Sequence, residues 1–230
     1  MKQSVYTGDI ETKISEIILT LKSLSNPKNV EGMARYGINP ENTLGITIPA
    51  LKAIVREVGK SHGLALKLWD SLIHEARILA ALIDIPRDVT EEQMERWVKD
   101  FDSWDVCDQV CSKLFVKTSF ANAKARQWCK RDEEFVKRAG FVMITALTVY
   151  DKKADDNIFL DFFDLIKEAS TDERNFVKKA VNWALRQIGK RNQTLRREAV
   201  RLAHEIYDIR TKSSKWIACD ALRELGKYGN

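Results

Sequence analysis

Proline and glycine are scarce in this chain: four prolines and ten glycines punctuate 230 residues. Between those breaks most segments carry apolar residues at three- and four-residue steps, the helical period, and none shows the alternation of a half-buried strand. Histidine is scarcer still, with His62, His74 and His204 the only three. None of them shares a motif with Cys107 and Cys111, whose spacing of four would set two thiols on one helix face, so a His/Cys metal centre is not expected. Cys107, Cys111, Cys129 and Cys219 are scattered among apolar residues and are expected to be buried and reduced. Also missing is any run near the roughly 18 apolar residues that span a bilayer. The opening MKQSVYTGDIETK lacks the apolar centre of a leader peptide. These absences lead to the expectation of a soluble protein of the cytoplasm or nucleoid, working without a membrane, metal or cofactor.

With 44% hydrophobic and 31% charged residues, the composition is that of an ordinary globule with a sizeable core. It is read as a single domain over residues 1–230. The formal net charge of +5 is unevenly placed. From Arg174 to Lys215 twelve Lys or Arg face only Glu198, Glu205 and Asp208, a local net of +9, which leaves −4 for the rest. Such clustering points to a polyanion partner. A solvated basic face with no partner is the plainer alternative.

Helix-start signals recur. Thr90-Glu91-Glu92-Gln93 reads as a capping box, and Asp132-Glu133-Glu134 and Thr171-Asp172-Glu173 place acids in first turns. Helices are therefore predicted to open near residues 11, 49, 65, 76, 90, 104, 133, 157, 173, 194 and 213. Three segments resemble one another: EEFVKRAGFVMITAL, RNFVKKAVNWALRQI and SSKWIACDALREL. They align Ala139, Ala180 and Ala218 at separations of 41 and 38 residues, and HEARILAALI (74–83) is a looser copy. A period of about 40 with two helices per unit fits HEAT repeats, in which each pair buries its apolar face on its neighbours. The predicted fold is all-α, a solenoid of antiparallel HEAT-like helix pairs whose inner helices line a concave basic wall suited to a DNA duplex. An unrelated helical bundle is the alternative.

Advancing about 100° per residue from Arg174 to Lys190 gathers Phe176, Val177, Ala180, Val181, Ala184 and Ile188 into a core arc. Lys179, Trp183, Arg186 and Lys190 fall together opposite it. With Lys178 and Arg191 from the same segment, these cations are the candidate DNA contacts. A tryptophan among cations suits a surface that touches a sugar or base while charges hold the flanking phosphates; one covered by a neighbouring repeat is the alternative. In the helix predicted from Trp104, Val106, Cys107, Val110 and Leu114 form the buried arc. Trp104 and Asp108 stand side by side at its margin, near Cys111 and Phe115. A carboxylate with apolar neighbours can act on developing positive charge. Its alternatives are a helix-start acid interacting with the macrodipole, which describes Asp105 better, or an ion pair with Arg138. Arg138 sits off the apolar arc of Val136, Ala139, Gly140, Met143 and Leu147, either gripping a phosphate bidentately or closing a structural salt bridge.

DSWDVCDQ (102–109), EFVKRAGFV (134–142) and FVKKAVNWALRQIGKRN (176–192) closely resemble the bacterial DNA alkylation repair family, the AlkC/AlkD-like HEAT-repeat glycosylases. The similarity runs from the Gly32-Met33 region through LGITIP (44–49) to WIACDALREL (216–225). The resemblance implies removal of N3- and N7-alkylated purines from double-stranded DNA; nothing in the sequence demands a partner chain, so a monomer is expected. Carried residue by residue, it implies that the family's paired tryptophans are Trp104 and Trp183, its acid Asp108 and its phosphate-gripping arginine Arg138. The family's best-studied branch has a second aromatic where this chain has Ser103, which implies a more open lesion pocket here. Two other functions fit the fold: a non-catalytic binder of DNA structures and a protein-interaction scaffold. Asp108 argues against the first and the basic segment against the second, because sites rather than folds carry function.

Overall fold

The computed structural model describes the backbone of residues 4–228 and the side chains of residues 10–227. The opening stretch read above for a leader lies partly outside them. The described residues form α1 (Ser4–Ser23), α2 (Pro27–Arg35), α3 (Ile48–Val58), α4 (His62–Asp70), α5 (His74–Ile83), α6 (Glu91–Lys99) and α7 (Trp104–Lys113). There follow α8 (Ala121–Cys129), α9 (Glu134–Tyr150), α10 (Asp156–Leu160), α11 (Phe163–Ala169), α12 (Asn175–Arg191), α13 (Gln193–Asp208) and α14 (Lys212–Leu225). No strand occurs among them, as the helical periodicity requires, and no described helix is long and apolar enough to cross a membrane. The chain divides into two compact units: residues up to Glu95 with Asp102–Leu114, and Arg96–Phe101 with Phe115 onward.

In the first unit α5 is the hub: α3, α4 and α7 pack on it, and its residues are buried almost all round. The buried Glu75 carboxylate accepts the backbone N–H groups of Leu44 (2.8 Å), Gly45 (2.6 Å) and Ile46 (3.1 Å). A buried charge is tolerated when donors fill its lone pairs in this way, and that is what the LGITIP stretch supplies. Asn26 caps α2 by accepting the Asn29 N–H, and the Asn29 side chain donates to the Gly45 carbonyl at 2.8 Å. The segment between α2 and α3 is thereby held from both ends. Asp84, also buried, binds His62 Nδ1 and Gln93 Nε2, each at 2.7 Å. Half of the expected capping box forms: Thr90 Oγ1 accepts the Gln93 N–H at 3.1 Å, but the Gln93 amide turns to Asp84 instead of returning to the cap.

In the second unit α8 packs on α9, α9 on α12, and α12 on both α13 and α14, with α13 also against α14 and α11 against α12. These are the HEAT-like pairs at the expected repeat, and Ala139, Ala180 and Ala218 are all buried. Trp97, Phe101 and Trp128 gather around Phe115 with ring centroids 5.8–6.5 Å from it. Three helices have no counterpart in the predicted openings. α2 has no buried residue to mark a face, α8 interrupts its apolar pattern with a buried Lys124 that donates to Gln127 at 2.8 Å, and α11 follows α10 with no breaker between them. The acids at 171–173 precede α12 instead of entering it, Asp172 accepting the Arg174 N–H at 3.1 Å. Cys107, Cys111 and Cys129 form no disulfide and are buried as expected; Cys219 also forms none but is exposed, because it lies on the outward arc of α14.

Close packing of α8 on α9 depends on Gly140. A Cβ there would clash with the Cys129 backbone nitrogen and would stand 2.8 Å from its Sγ and 2.9 Å from its Cα. Backbone cannot swing aside as a side-chain tip can, so Gly140→Ala is expected to cost about 1–3 kcal/mol, the usual range for overpacking. Gly32, inside α2 with open space around it, is the control: Gly32→Ala should be neutral or stabilising by up to about 1 kcal/mol through helix propensity. Urea unfolding midpoints check both, and equal midpoints for the two variants would refute the packing argument.

Candidate nucleic-acid interface

In the first unit the start of α7 is fixed by four contacts that arise outside it. Ser103 is buried, and its hydroxyl accepts the Asn39 N–H at 3.0 Å. Asp102 accepts from the Asn39 side chain at 2.9 Å, and the Trp104 indole N–H donates to the Tyr36 carbonyl at 3.1 Å. Asp105 pairs with His74 Nε2 at 2.8 Å. These bonds present Trp104, half-buried, on the first turn and Asp108, also half-buried, one turn later, above the buried arc of Val106, Cys107, Val110 and Cys111.

The side chain of Ser103 points into the protein and ties α7 to the loop after α2. Asp105 serves His74 beyond any interaction with the helix dipole. Sequence reasoning also missed Tyr36. It is 76% exposed, follows MAR at the end of α2, and offers its carbonyl to Trp104; the only signal was an aromatic directly before Gly37, which takes a positive φ of 78°.

In the second unit α12 turns Lys179, Trp183, Arg186 and Lys190 outward together, as the helical wheel requires, while Val177, Ala180, Val181, Ala184 and Ile188 are buried. Phe176, expected in the core, is half-buried and stacks on Phe135 at 5.5 Å. Trp183 is half-buried, so its indole is not sealed inside the protein.

The cations are less open than the sequence suggested. Arg186 and Lys190 both pair with Glu224 of α14, and Arg186 also lies 3.6 Å from Asp220. Burial pushes the Glu224 carboxyl up, but hydrogen bonds from Lys190 and Arg186 outweigh it and hold the group below the ordinary carboxylate value. Arg191 is directed inward: it donates to the Thr148 and Ala154 carbonyls at 2.9 Å each and lies over the Phe159 ring at 4.4 Å. Arg138 is buried, and its Nη1 donates to the Phe176 carbonyl at 2.7 Å, joining α9 to α12. Arg138 and Arg191 therefore do not stand on an open wall; inter-repeat carbonyls claim them. The +9 segment misled because its cations pair with Asp156 and Asp172, which precede it, and with Asp220 and Glu224, which follow it. Lys178 and Lys179 remain without a carboxylate partner among the described residues. Lys178 Nζ lies 5.3 Å over the Trp216 ring. No group of three His, Cys, Asp or Glu that could hold a metal occurs among the described residues.

The family profile described as DNA alkylation repair enzyme matches residues 17–225. An uncharacterized protein of Listeria monocytogenes is 29% identical over 125 residues, which is 53% of this chain and 56% of that one. A second, from Listeria innocua, is 28% identical over the same shares. The chain thus spans a little over half the length of these curated relatives. A solved structure is described as a new family of proteins related to the HEAT-like repeat DNA glycosylases with affinity for branched DNA structures. It aligns at a TM-score of 0.73 with 20% identity, covering 84% of this chain and 82% of that one. At that identity the likeness is one of fold.

The His74–Asp105 contact carries a pH prediction. Burial lowers the His74 value, but the hydrogen bond and charge of Asp105, with Glu75 and Asp102, outweigh it and leave it above the ordinary 6.5. A raised folded value means that the stabilisation is fully present below pH about 6.5 and is lost as pH rises through the folded value. Melting temperatures of the wild type and His74→Gln should therefore differ most below that pH and converge as it rises. A gap that stays constant from pH 6 to 9 would show that charge on His74 contributes nothing.

Proposed function

The chain belongs to the DNA alkylation repair enzyme family, and from that premise we propose that it is a DNA glycosylase excising N3- and N7-alkylated, cationic purines from duplex DNA in base excision repair. The observation that supports this reading most is the start of α7. Four contacts hold an indole and, one turn on, a half-buried carboxylate in fixed register. A surface that only binds phosphates gains nothing from a carboxylate presented in this way.

The chemistry asks little of the protein. An alkylated purine already carries positive charge, so the C1′–N bond breaks with its electron pair passing to the base, which leaves neutral. Positive charge then develops on the deoxyribose, where the Asp108 carboxylate stabilises it and orients the water that adds to C1′. The water loses a proton, and the products are free base and an abasic sugar. A charge pair about 4 Å apart at an effective dielectric near 20 contributes about 4 kcal/mol, or roughly three powers of ten in rate if realised only in the transition state. Trp104 packs against the lesion's sugar. Taken by itself, the second unit presents Trp183 with Lys178 and Lys179, an aromatic and cationic surface for DNA sugar and phosphates; Arg186 and Lys190 contribute what charge Glu224 leaves them.

A second reading is a non-catalytic binder of branched DNA, the property named for the structural neighbour. One assay separates the two: single-turnover release of 7-methylguanine from a duplex by wild type and by Asp108→Asn. Excision predicts release by the wild type and a loss of about two to three powers of ten in the variant, with DNA affinity nearly unchanged. Equal rates remove Asp108 from the mechanism, and no release by the wild type favours the binder.

A further inference from the structure

Trp216 is the most exposed of the six tryptophans, at 42%. On α14 the buried arc is Ser213, Ser214, Ile217, Ala218, Ala221 and Leu225. Opposite it, Lys212, Trp216, Cys219 and Arg223 form one exposed ridge, with Lys215 beside them. When Ala180 and Ala218 are aligned, Trp216 takes the repeat position that Lys178 holds in α12, and these two side chains meet, ammonium over ring at 5.3 Å. Lys178, Lys179, Lys212 and Lys215 have no carboxylate partner among the described residues. The nearby acids are occupied: Asp220 by Arg186 and Arg223, and Glu173 by the Ser213 N–H at 3.1 Å.

We propose that Trp216, with Lys178, Lys179, Lys212 and Lys215, is a further DNA-backbone subsite, in which the indole packs on a deoxyribose and the lysines bind the phosphates on either side. The charge decides the occupant. Around Trp216 the unpaired groups are all cations, so the partner is a polyanion, and the surrounding lysines leave no apolar patch for a protein to cover. A lysine over an indole is held weakly, so Lys178 can leave the ring for a phosphate as the sugar takes its place. The subsite rests on the reading that the chain binds DNA, and not on excision.

The test is the affinity for an undamaged duplex, measured by fluorescence anisotropy between about 50 and 200 mM salt. Trp216→Ala should weaken binding about tenfold without changing the salt slope, because it removes contact area and no charge; Trp216→Phe should restore most of the loss. Lys178→Ala with Lys212→Ala should lower the slope of log K against log salt by about two. Melting temperatures near the wild type show that the variants fold. Unchanged affinity and slope in all of them overturn the subsite. So does binding to anionic vesicles that is lost in Trp216→Ala while DNA affinity stays the same. Should the wild type release no base while these variants lose DNA affinity, the excision reading falls and the subsite stands. Should it release base while they bind normally, the reverse holds.

Discussion

Glu224 is a single carboxylate on α14, and two cations of α12 converge on it. Arg186 and Lys190 would otherwise face outward, and together with Asp220 this cluster ties α12 to α14. The constraint behind it is general to stacked helix pairs: each repeat must bury its apolar face on its neighbour, and charges at the rim of that contact find partners there. The same demand draws Arg191 to the Thr148 and Ala154 carbonyls and Arg138 to the Phe176 carbonyl. A basic sequence segment is thus partly consumed in holding the repeats together, and only the remainder is left to act outward. Part of that remainder, Lys178 and Lys179 with Lys212 and Lys215 on α14, lies beside two indoles that are not sealed in the core, Trp183 and Trp216.

The first unit solves a different problem. Its task is to fix the start of one helix, and it does so with buried polar groups. Glu75 gathers three N–H groups of the LGITIP stretch, that stretch and α2 hold the loop after Tyr36, and the loop in turn receives Ser103 and Trp104. Glu75 and Ser103 are satisfied buried polar groups, costly to break because the partner left behind is desolvated, whereas the Trp104–Tyr36 bond closes the chain at the surface. Asp108, one turn beyond Trp104, takes its register from this chain of contacts.

The helices that the sequence revealed are those with a wide apolar face and a near-repeat, above all α9, α12 and α14, aligned through Ala139, Ala180 and Ala218. The grouping of Lys179, Trp183, Arg186 and Lys190 off the core arc was equally legible, because it follows from helical geometry alone. What stayed hidden depended on partners distant in sequence. Nothing near Arg186 shows that Glu224 will meet it, nothing in EFVKRAG shows that Arg138 turns toward the Phe176 carbonyl, and Ser103 looks like a missing aromatic until Asn39 arrives. α2 and α8 escaped notice because one has no buried residue and the other buries a lysine. The family membership was legible from the motifs around Trp104, Arg138 and Trp183, and the match over residues 17–225 bears it out.

Whether cations held by Glu224 differ from those left open can be measured directly through the salt dependence of DNA affinity. Replacing Arg186, Lys190 and Glu224 together by glutamine should leave the slope of log K against log salt near the wild-type value, whereas Lys178→Ala with Lys179→Ala should flatten it by about two. A slope that falls by two in the glutamine variant and holds steady in the alanine variant would contradict this division of charge.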